Sequence, residues 1–414
     1  MERSGQIFLD ILCQALRGNP WAPGETLTTE QWNSVFRLAG EHNVLPMIYG
    51  AVYRLPELTG SPALMGVKQE VLNQVMRQEA KTREFLELYR HLTASGVRPL
   101  VVKGIVCRSL YPNPDFRISG DEDLLIEPEE YERCHETLTA IGMEPSEPDQ
   151  DRENAYEVPY GRRGSPIYIE LHKHLFPPES EAYGDLNRFF ARVHHHAVTQ
   201  AVQGQTVWTM APTEHLFYLI CHGFKHFLHG GFGIRQVCDI VMFAERHGQW
   251  IDWEQVLENS REIRAERFAA ALLKIGEKHL GFDPEKAKLP ELWRIIPVDE
   301  TPMLEDLLQS GIFGGADMSR KHSATITLTA VADQKQGRRG TSGVLKSLFP
   351  PAKALEKRYT YLRKYPWLLP AAWASRIVRY GKEVKDAGTG NAAEAVKIGK
   401  ERVELLKHYG VVDE

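Results

Sequence analysis

Val101-Val102-Lys103-Gly104, followed after a helix-sized gap by Arg117-Ile118-Ser119-Gly120-Asp121-Glu122-Asp123-Leu124-Leu125-Ile126, is the most constraining stretch of this chain. Leu100, Val101 and Val102 read as a short buried strand, and Ile105 to Leu110 fits a short helix. Residues 118 to 126 read as a second strand, opening on small residues and closing on an apolar run. Side chains alternate across a strand, so Asp121 and Asp123 share one face while Glu122 points away. Two carboxylates about 7 Å apart on a rigid strand make half of a magnesium site, because Mg2+ takes hard oxygen ligands and usually shares them with phosphates. That chemistry points to phosphoryl or nucleotidyl transfer.

An Asp-x-Asp pair also arises in solvated turns and helix N-caps, so alone it carries little. Three features add weight. Leu124-Leu125-Ile126 follows at once, which assigns the acids to a core strand and not an open loop. The preceding strand ends in Lys103-Gly104, a cation and a backbone amide suited to phosphate oxygens. A third acid stands in Ile167-Tyr168-Ile169-Glu170-Leu171-His172, whose alternation puts Tyr168, Glu170 and His172 on one face.

These residues resemble the nucleotidyltransferase superfamily that includes DNA polymerase beta, with its Gly-Ser turn, its Asp-x-Asp/Glu strand and its third acid on a neighbouring strand. The closer likeness is to the uncharacterised nucleotidyltransferase family, which writes the turn as Lys-Gly and continues with Tyr-Pro, Arg and Gly-Asp-x-Asp-Leu-Leu. Here those are Lys103-Gly104, Tyr111-Pro112, Arg117 and Gly120-Asp121-Glu122-Asp123-Leu124-Leu125. The likeness extends to Glu170-Leu171-His172, His222-Gly223 with Lys225-His226, Arg235 with Asp239, and Asp252-Trp253. Leu348-Phe349-Pro350 and Pro366-Trp367-Leu368-Leu369-Pro370 also fit, so it covers most of the chain. Two positions depart from the well-studied enzymes: Lys103-Gly104 replaces Gly-Ser, and Glu170 stands where aspartate is common.

The resemblance implies an α+β fold, with a small mixed-sheet nucleotidyltransferase core embedded in mostly helical N- and C-terminal regions. It implies Asp121, Asp123 and Glu170 as catalytic metal ligands for two Mg2+ ions. Lys103, Gly104, Arg117, Ser119, Gly120 and His172 are then expected around the nucleotide, with ATP the expected donor. The acceptor, whether small molecule, protein or RNA, stays open because a fold and a metal site leave the second substrate unspecified. Two other classes stand beside this one: a catalytically silent, nucleotide-binding regulatory protein, and an RNA-binding protein.

Composition is ordinary for a soluble globular protein, with 43% hydrophobic and 25% charged residues over 414 positions. No run approaches a membrane span, and Met1 to Leu12 carries charges that do not suit a secretory signal. Five scattered cysteines without paired spacing favour reduced thiols, so a cytoplasmic location is expected. A net charge of -5 argues against whole-chain electrostatic binding to nucleic acid. Lys335 to Lys385 is nonetheless basic and interleaved with Tyr359, Tyr361, Tyr365, Trp367 and Trp373. It reads either as a grip for an anionic partner such as RNA or as an amphipathic tail resting on the body.

Periodicity divides the chain into a helical region at 1–95, the α/β core at 96–207, a helical region completing the cleft at 208–330, and a basic helical region at 331–414. Within the core, Pro128 to Ile141 fits a helix, and Tyr156 to Val158 with Ile167 to Leu171 fits a hairpin. Thr28 or Thr29 is expected to open a helix, and Thr213 to cap Glu214 to Phe227. His194-His195-His196 cannot converge on one ion, since adjacent residues diverge. His222 and His226, four apart on a helix, share a face with Lys225 beside them. Together with Arg235 and Asp239 they are expected either to face the cleft and hold the second substrate or to tie helices together.

Overall fold

The computed structural model describes residues 2–58, 60, 62–310, 318–337, 352–355, 359–375 and 392–413. Four helices lead: α1 (Arg3–Leu16), α2 (Thr29–Glu41), α3 (Leu45–Val52) and the long α4 (Pro62–Ala94). Thr28 opens α2 through a reciprocal cap, its hydroxyl accepting from the Gln31 amide at 3.2 Å while Gln31 accepts from the Thr28 amide at 2.8 Å.

The α/β core follows: β1 (Leu100–Val101), α5 (Gly104–Arg108), β2 (Glu122–Leu125), α6 (Tyr131–Ala140), β3 (Glu144–Pro145), β4 (Glu157–Gly161) and β5 (Tyr168–His172). A second hairpin, β6 (Val198–Val202) and β7 (Gln205–Thr209), completes one seven-stranded sheet of order β3-β4-β5-β2-β1-β7-β6. The sheet is mixed. β2 runs antiparallel to β1 and parallel to β5, and β1 is parallel to β7. This α+β arrangement, a central sheet within a helical chain, is the one expected.

Alternation along β2 and β5 sorts residues between the two faces of the sheet. Leu124, Ile169 and Leu171 join Val158 and Tyr160 in an apolar layer with Phe85, Leu88 and Tyr89 of α4 and Tyr131, Cys134 and Leu138 of α6. Asp123, Glu170 and His172 therefore face the other way. On that side runs α7 (Pro212–His229), anchored by His215, whose Nε2 donates to the Val102 carbonyl at 2.8 Å. Pro212 occupies the first turn, and Thr213 makes no cap; its hydroxyl instead accepts from the Asp252 amide at 2.9 Å. Thr213 thus ties α7 to the segment that enters the helix opening at Trp253.

Beyond α7 come α8 (Ile234–His247), α9 (Trp253–Glu262), α10 (Glu266–His279), α11 (Glu291–Arg294), α12 (Thr301–Ser310), α13 (Met318–Lys335) and α14 (Ala392–His408). The α13 and α14 helices pair and lean on α7. Gly314-Gly315 and much of the basic stretch from Lys335 to Lys385 lie outside the described residues. Among the described residues no helix is long and apolar enough to cross a membrane.

Candidate active site

Register brings the acids together. The parallel pairing of β2 with β5 sets Asp123 beside Glu170, and the antiparallel pairing of β4 with β5 sets Glu157 beside His172. His172 Nε2 lies 3.3 Å from Asp123 Oδ1 and 3.6 Å from Glu170 Oε2, and its Nδ1 lies 3.4 Å from Glu157 Oε2. One ligand atom each from Asp123, Glu170 and His172 falls within 4.8 Å of the others. Asp121 is half-buried, just before the β2 ladder and outside that cluster. Its charge still reaches the site, helping to raise Glu170 and Lys103.

Lys103, at the N-cap of α5, completes the floor. Its Nζ is 3.1 Å from Asp123 Oδ2 and 3.1 Å from His222 Nε2. Burial works against charge on Lys103, yet Asp123, Asp121 and Glu170 hold it above its ordinary value. Burial alone would raise the Asp123 carboxyl; the Lys103 and His172 charges hold it well below the carboxylate range. His172 goes the same way as Lys103: burial opposes the imidazolium, and hydrogen bonds to Asp123 and Glu170 lift it to about 9. Glu170 is pushed up, by burial first and then, against the pull of His172, by the charges of Asp123 and Asp121.

The opposite wall is basic. His226 Nε2 stands 3.3 Å from His222 Nε2, and the Lys225 ammonium lies 5.9 Å from the centre of the Tyr156 ring, which leans on His172. Burial and the Lys103 charge keep His222 and His226 neutral, the latter down to about 3. The Lys103 and Lys225 ammoniums beside the carboxylates suit a polyanion that arrives with divalent cations.

The residues fit such cations. Asp123 Oδ2 is buried and makes no hydrogen bond, facing Lys103 only as an ion pair, and the donors are two carboxylates and one imidazole. Asp123, Glu170 and His172 would hold one ion, with Asp121 available to a second.

Other expected site residues are engaged elsewhere. Arg117 is buried and makes a bidentate pair with Asp239, Nε to Oδ1 at 3.0 Å and Nη2 to Oδ2 at 2.5 Å, while the Tyr111 hydroxyl donates to Oδ1 at 2.7 Å. Arg235 donates to the Ile118 carbonyl. This group fastens α8 to the loop before β2, so the cluster expected from His222 to Asp239 divides: the two histidines and Lys225 face the acids, and Arg235 with Asp239 ties elements together. Ser119 is also internal, accepting from Arg108 Nη1 at 2.7 Å and donating its amide to Gln78 Oε1 at 2.9 Å. Gly120 is exposed, with open space where a Cβ would be. His196 pairs with Glu214 at 2.9 Å and takes no part.

The residue that sequence reasoning passed over is Glu122. It is fully buried on the far face of β2, accepting from the Ile105 amide at 2.8 Å and pairing with the equally buried Arg108 at 2.5 Å. Gly104 has φ +50°, and a Cβ there would land on the Glu122 carboxylate. Glu122 thus fixes the Lys103-Gly104 turn and aims Lys103 at Asp123. The available signal was its parity: an acid sharing a core face with Leu124 must find a buried partner, and here that partner is Arg108.

A model of the family described as uncharacterised nucleotidyltransferase matches residues 28–281. The chain belongs to this family. The match spans α2 to the end of α10 and includes every acid and base of the cup. Comparison with curated proteins and with solved structures returns no match.

Proposed function

We propose that the chain is a Mg2+-dependent nucleotidyltransferase that moves a nucleoside monophosphate from a nucleoside triphosphate, ATP in the first instance, to an acceptor. The supporting observation is the registered pair Asp123 and Glu170 on parallel strands, with Lys103 pointing at them from the α5 turn. In the reaction an acceptor oxygen bonds to the α-phosphorus, the α–β phosphoanhydride bond breaks, and pyrophosphate leaves. Asp121, Asp123 and Glu170 would hold the divalent ions, whose chemistry would be charge neutralisation at the entering and departing oxygens.

The chain's own part is positioning and charge. Lys103 sits where it can exchange its contact with His222 for a phosphate oxygen. Lys225 has no carboxylate within 4 Å among the described residues and lines the same wall, a second charge for the triphosphate. His222 and His226 offer imidazole nitrogens between the two lysines. Burial of Asp123 strengthens each of these interactions relative to water.

Incubating the purified protein with each labelled nucleoside triphosphate, Mg2+ and a cell extract tests the reading. Label should move to an acceptor with the native chain and not with Asp123→Asn. Absence of transfer from every triphosphate, or transfer undiminished in Asp123→Asn, overturns it.

A further inference from the structure

We propose that the cation position formed by Asp123, Glu170 and His172 is a mixed nitrogen–oxygen site built for Mn2+ in preference to Mg2+, with His172 Nε2 as a direct ligand. The inference deepens the transferase reading and rests on it for the site's purpose, but not for its coordination chemistry.

Geometry supplies the first argument. Three donors bound to one ion at about 2.1 Å lie roughly 3 Å apart on an octahedral face. His172 Nε2 is 3.3 Å from Asp123 Oδ1 and 3.6 Å from Glu170 Oε2, and all three donors lie within 4.8 Å of one another, so closing on an ion draws the carboxylates inward without moving the strands. The three come from two neighbouring strands whose ladder fixes their backbone.

Binding an ion at Nε2 displaces the proton that the imidazole shares with Asp123 Oδ1, so uptake of the cation releases a proton. Glu157 stands across the ladder from His172 with Oε2 3.4 Å from Nδ1, close but not hydrogen-bonded, while Nε2 faces Asp123 and Glu170. A carboxylate that closes on Nδ1 when Nε2 binds an ion would fix the ring and raise its basicity as a ligand. The Tyr156 ring, 6.3 Å away, closes another side.

Asp123 divides its two oxygens. Oδ1 faces His172, while Oδ2 faces the Lys103 ammonium; the residue is 2% exposed and Oδ2 has no hydrogen bond. An ion can therefore enter on the Oδ1 side without evicting Lys103. Asp121, outside the cluster, is left for a cation carried in by the triphosphate, which keeps the all-oxygen surroundings that Mg2+ prefers. Carboxylates suit Mg2+ and Mn2+ alike, whereas an imidazole ligand favours first-row transition ions over Mg2+. Between those two oxygen-seeking ions, two carboxylates and one imidazole therefore favour Mn2+ over Mg2+.

The test uses the full chain and metal alone. Mn2+ binding is followed by loss of the free-ion electron paramagnetic resonance signal, with Mg2+ as competitor, and pulsed measurements record nitrogen coupling to bound Mn2+. The native protein should bind Mn2+ more tightly than Mg2+ and show nitrogen modulation that changes on 15N labelling of histidine. His172→Gln should abolish the modulation and weaken Mn2+ binding by roughly 10–100-fold. His222→Asn and His226→Asn, the other imidazoles of the cup, should keep the modulation, which assigns it to His172 even if His172→Gln does not fold. Bound Mn2+ without nitrogen coupling, coupling lost in His222→Asn or His226→Asn, or an equal affinity for Mg2+ overturns the proposal. Label transfer supported by Mg2+ alongside any of those results would leave the transferase reading standing, so the two fail separately.

Discussion

Gly104→Ala should cost far more stability than one methyl group at a helix start ordinarily does. The backbone at Gly104 has φ +50°, in the left-handed region, where an L-residue costs about 1–2 kcal/mol. The new Cβ would also occupy the space of the Glu122 carboxylate, forcing it off the Ile105 amide at 2.8 Å and off Arg108 at 2.5 Å. Glu122 and Arg108 are both buried, and breaking such a pair costs roughly 3–5 kcal/mol. The two effects together predict a loss of about 4–7 kcal/mol, a large share of a typical domain's stability. Urea unfolding followed by far-ultraviolet circular dichroism measures it, with Gly120→Ala as the control because no atom lies within 4 Å of its added Cβ. The control should shift by less than about 0.5 kcal/mol. A loss below about 1 kcal/mol for Gly104→Ala would refute the account of the turn.

Lys103→Ala should weaken nucleotide binding at saturating Mg2+ while leaving metal affinity nearly unchanged, because it removes a phosphate partner and no ligand; unchanged nucleotide affinity in a titration excludes the phosphate role. Asp239→Asn leaves the buried Arg117 without its bidentate partner and should cost roughly 3–5 kcal/mol in urea unfolding, and a near-neutral result would show that the Arg117 contact is dispensable. His215 is held neutral by burial, its pKa lowered to about 4, so as pH falls from 7 to 5 the unfolded chain takes up a proton the native one refuses. Stability gained from the neutral imidazole is complete above about pH 6.5 and is lost on acidification, by roughly 2 kcal/mol at pH 5. The native protein should therefore lose that much more than His215→Gln over the same interval, and parallel pH profiles would rule this out.

The placement of the acids was legible where it depends on short-range alternation. Asp123, Glu170 and His172 share a face because their strands have period two, and the Leu124-Leu125-Ile126 run marked β2 as core. Contacts between distant segments left no such mark. Arg117 finds Asp239 from 122 residues away, and nothing local distinguishes that arginine from one awaiting a phosphate. The β6–β7 hairpin also escaped, although Gln203-Gly204 between two polar-apolar runs is a hairpin turn, with both residues at positive φ. Its first strand, β6, is mostly exposed and offers little apolar contrast. The start of α7 lies two residues before the expected Glu214, because Pro212 takes its first turn.

Three consecutive acids, Asp121-Glu122-Asp123, lead into an apolar run that is hydrophobic at both parities. Sliding β2 by one residue against its neighbours would still bury leucine or isoleucine on either face, so hydrophobicity alone does not set the register. It would, however, send Glu122 into the cleft and an aspartate toward Arg108. Aspartate is one methylene shorter than the side chain that spans from β2 to the Ile105 amide and Arg108. The buried pair and the hollow at Gly104 therefore act as a key for strand alignment, accepting a glutamate from this triplet and rejecting its neighbours. A chain without Arg108 would lose the means of telling its structural acid from its chemical ones.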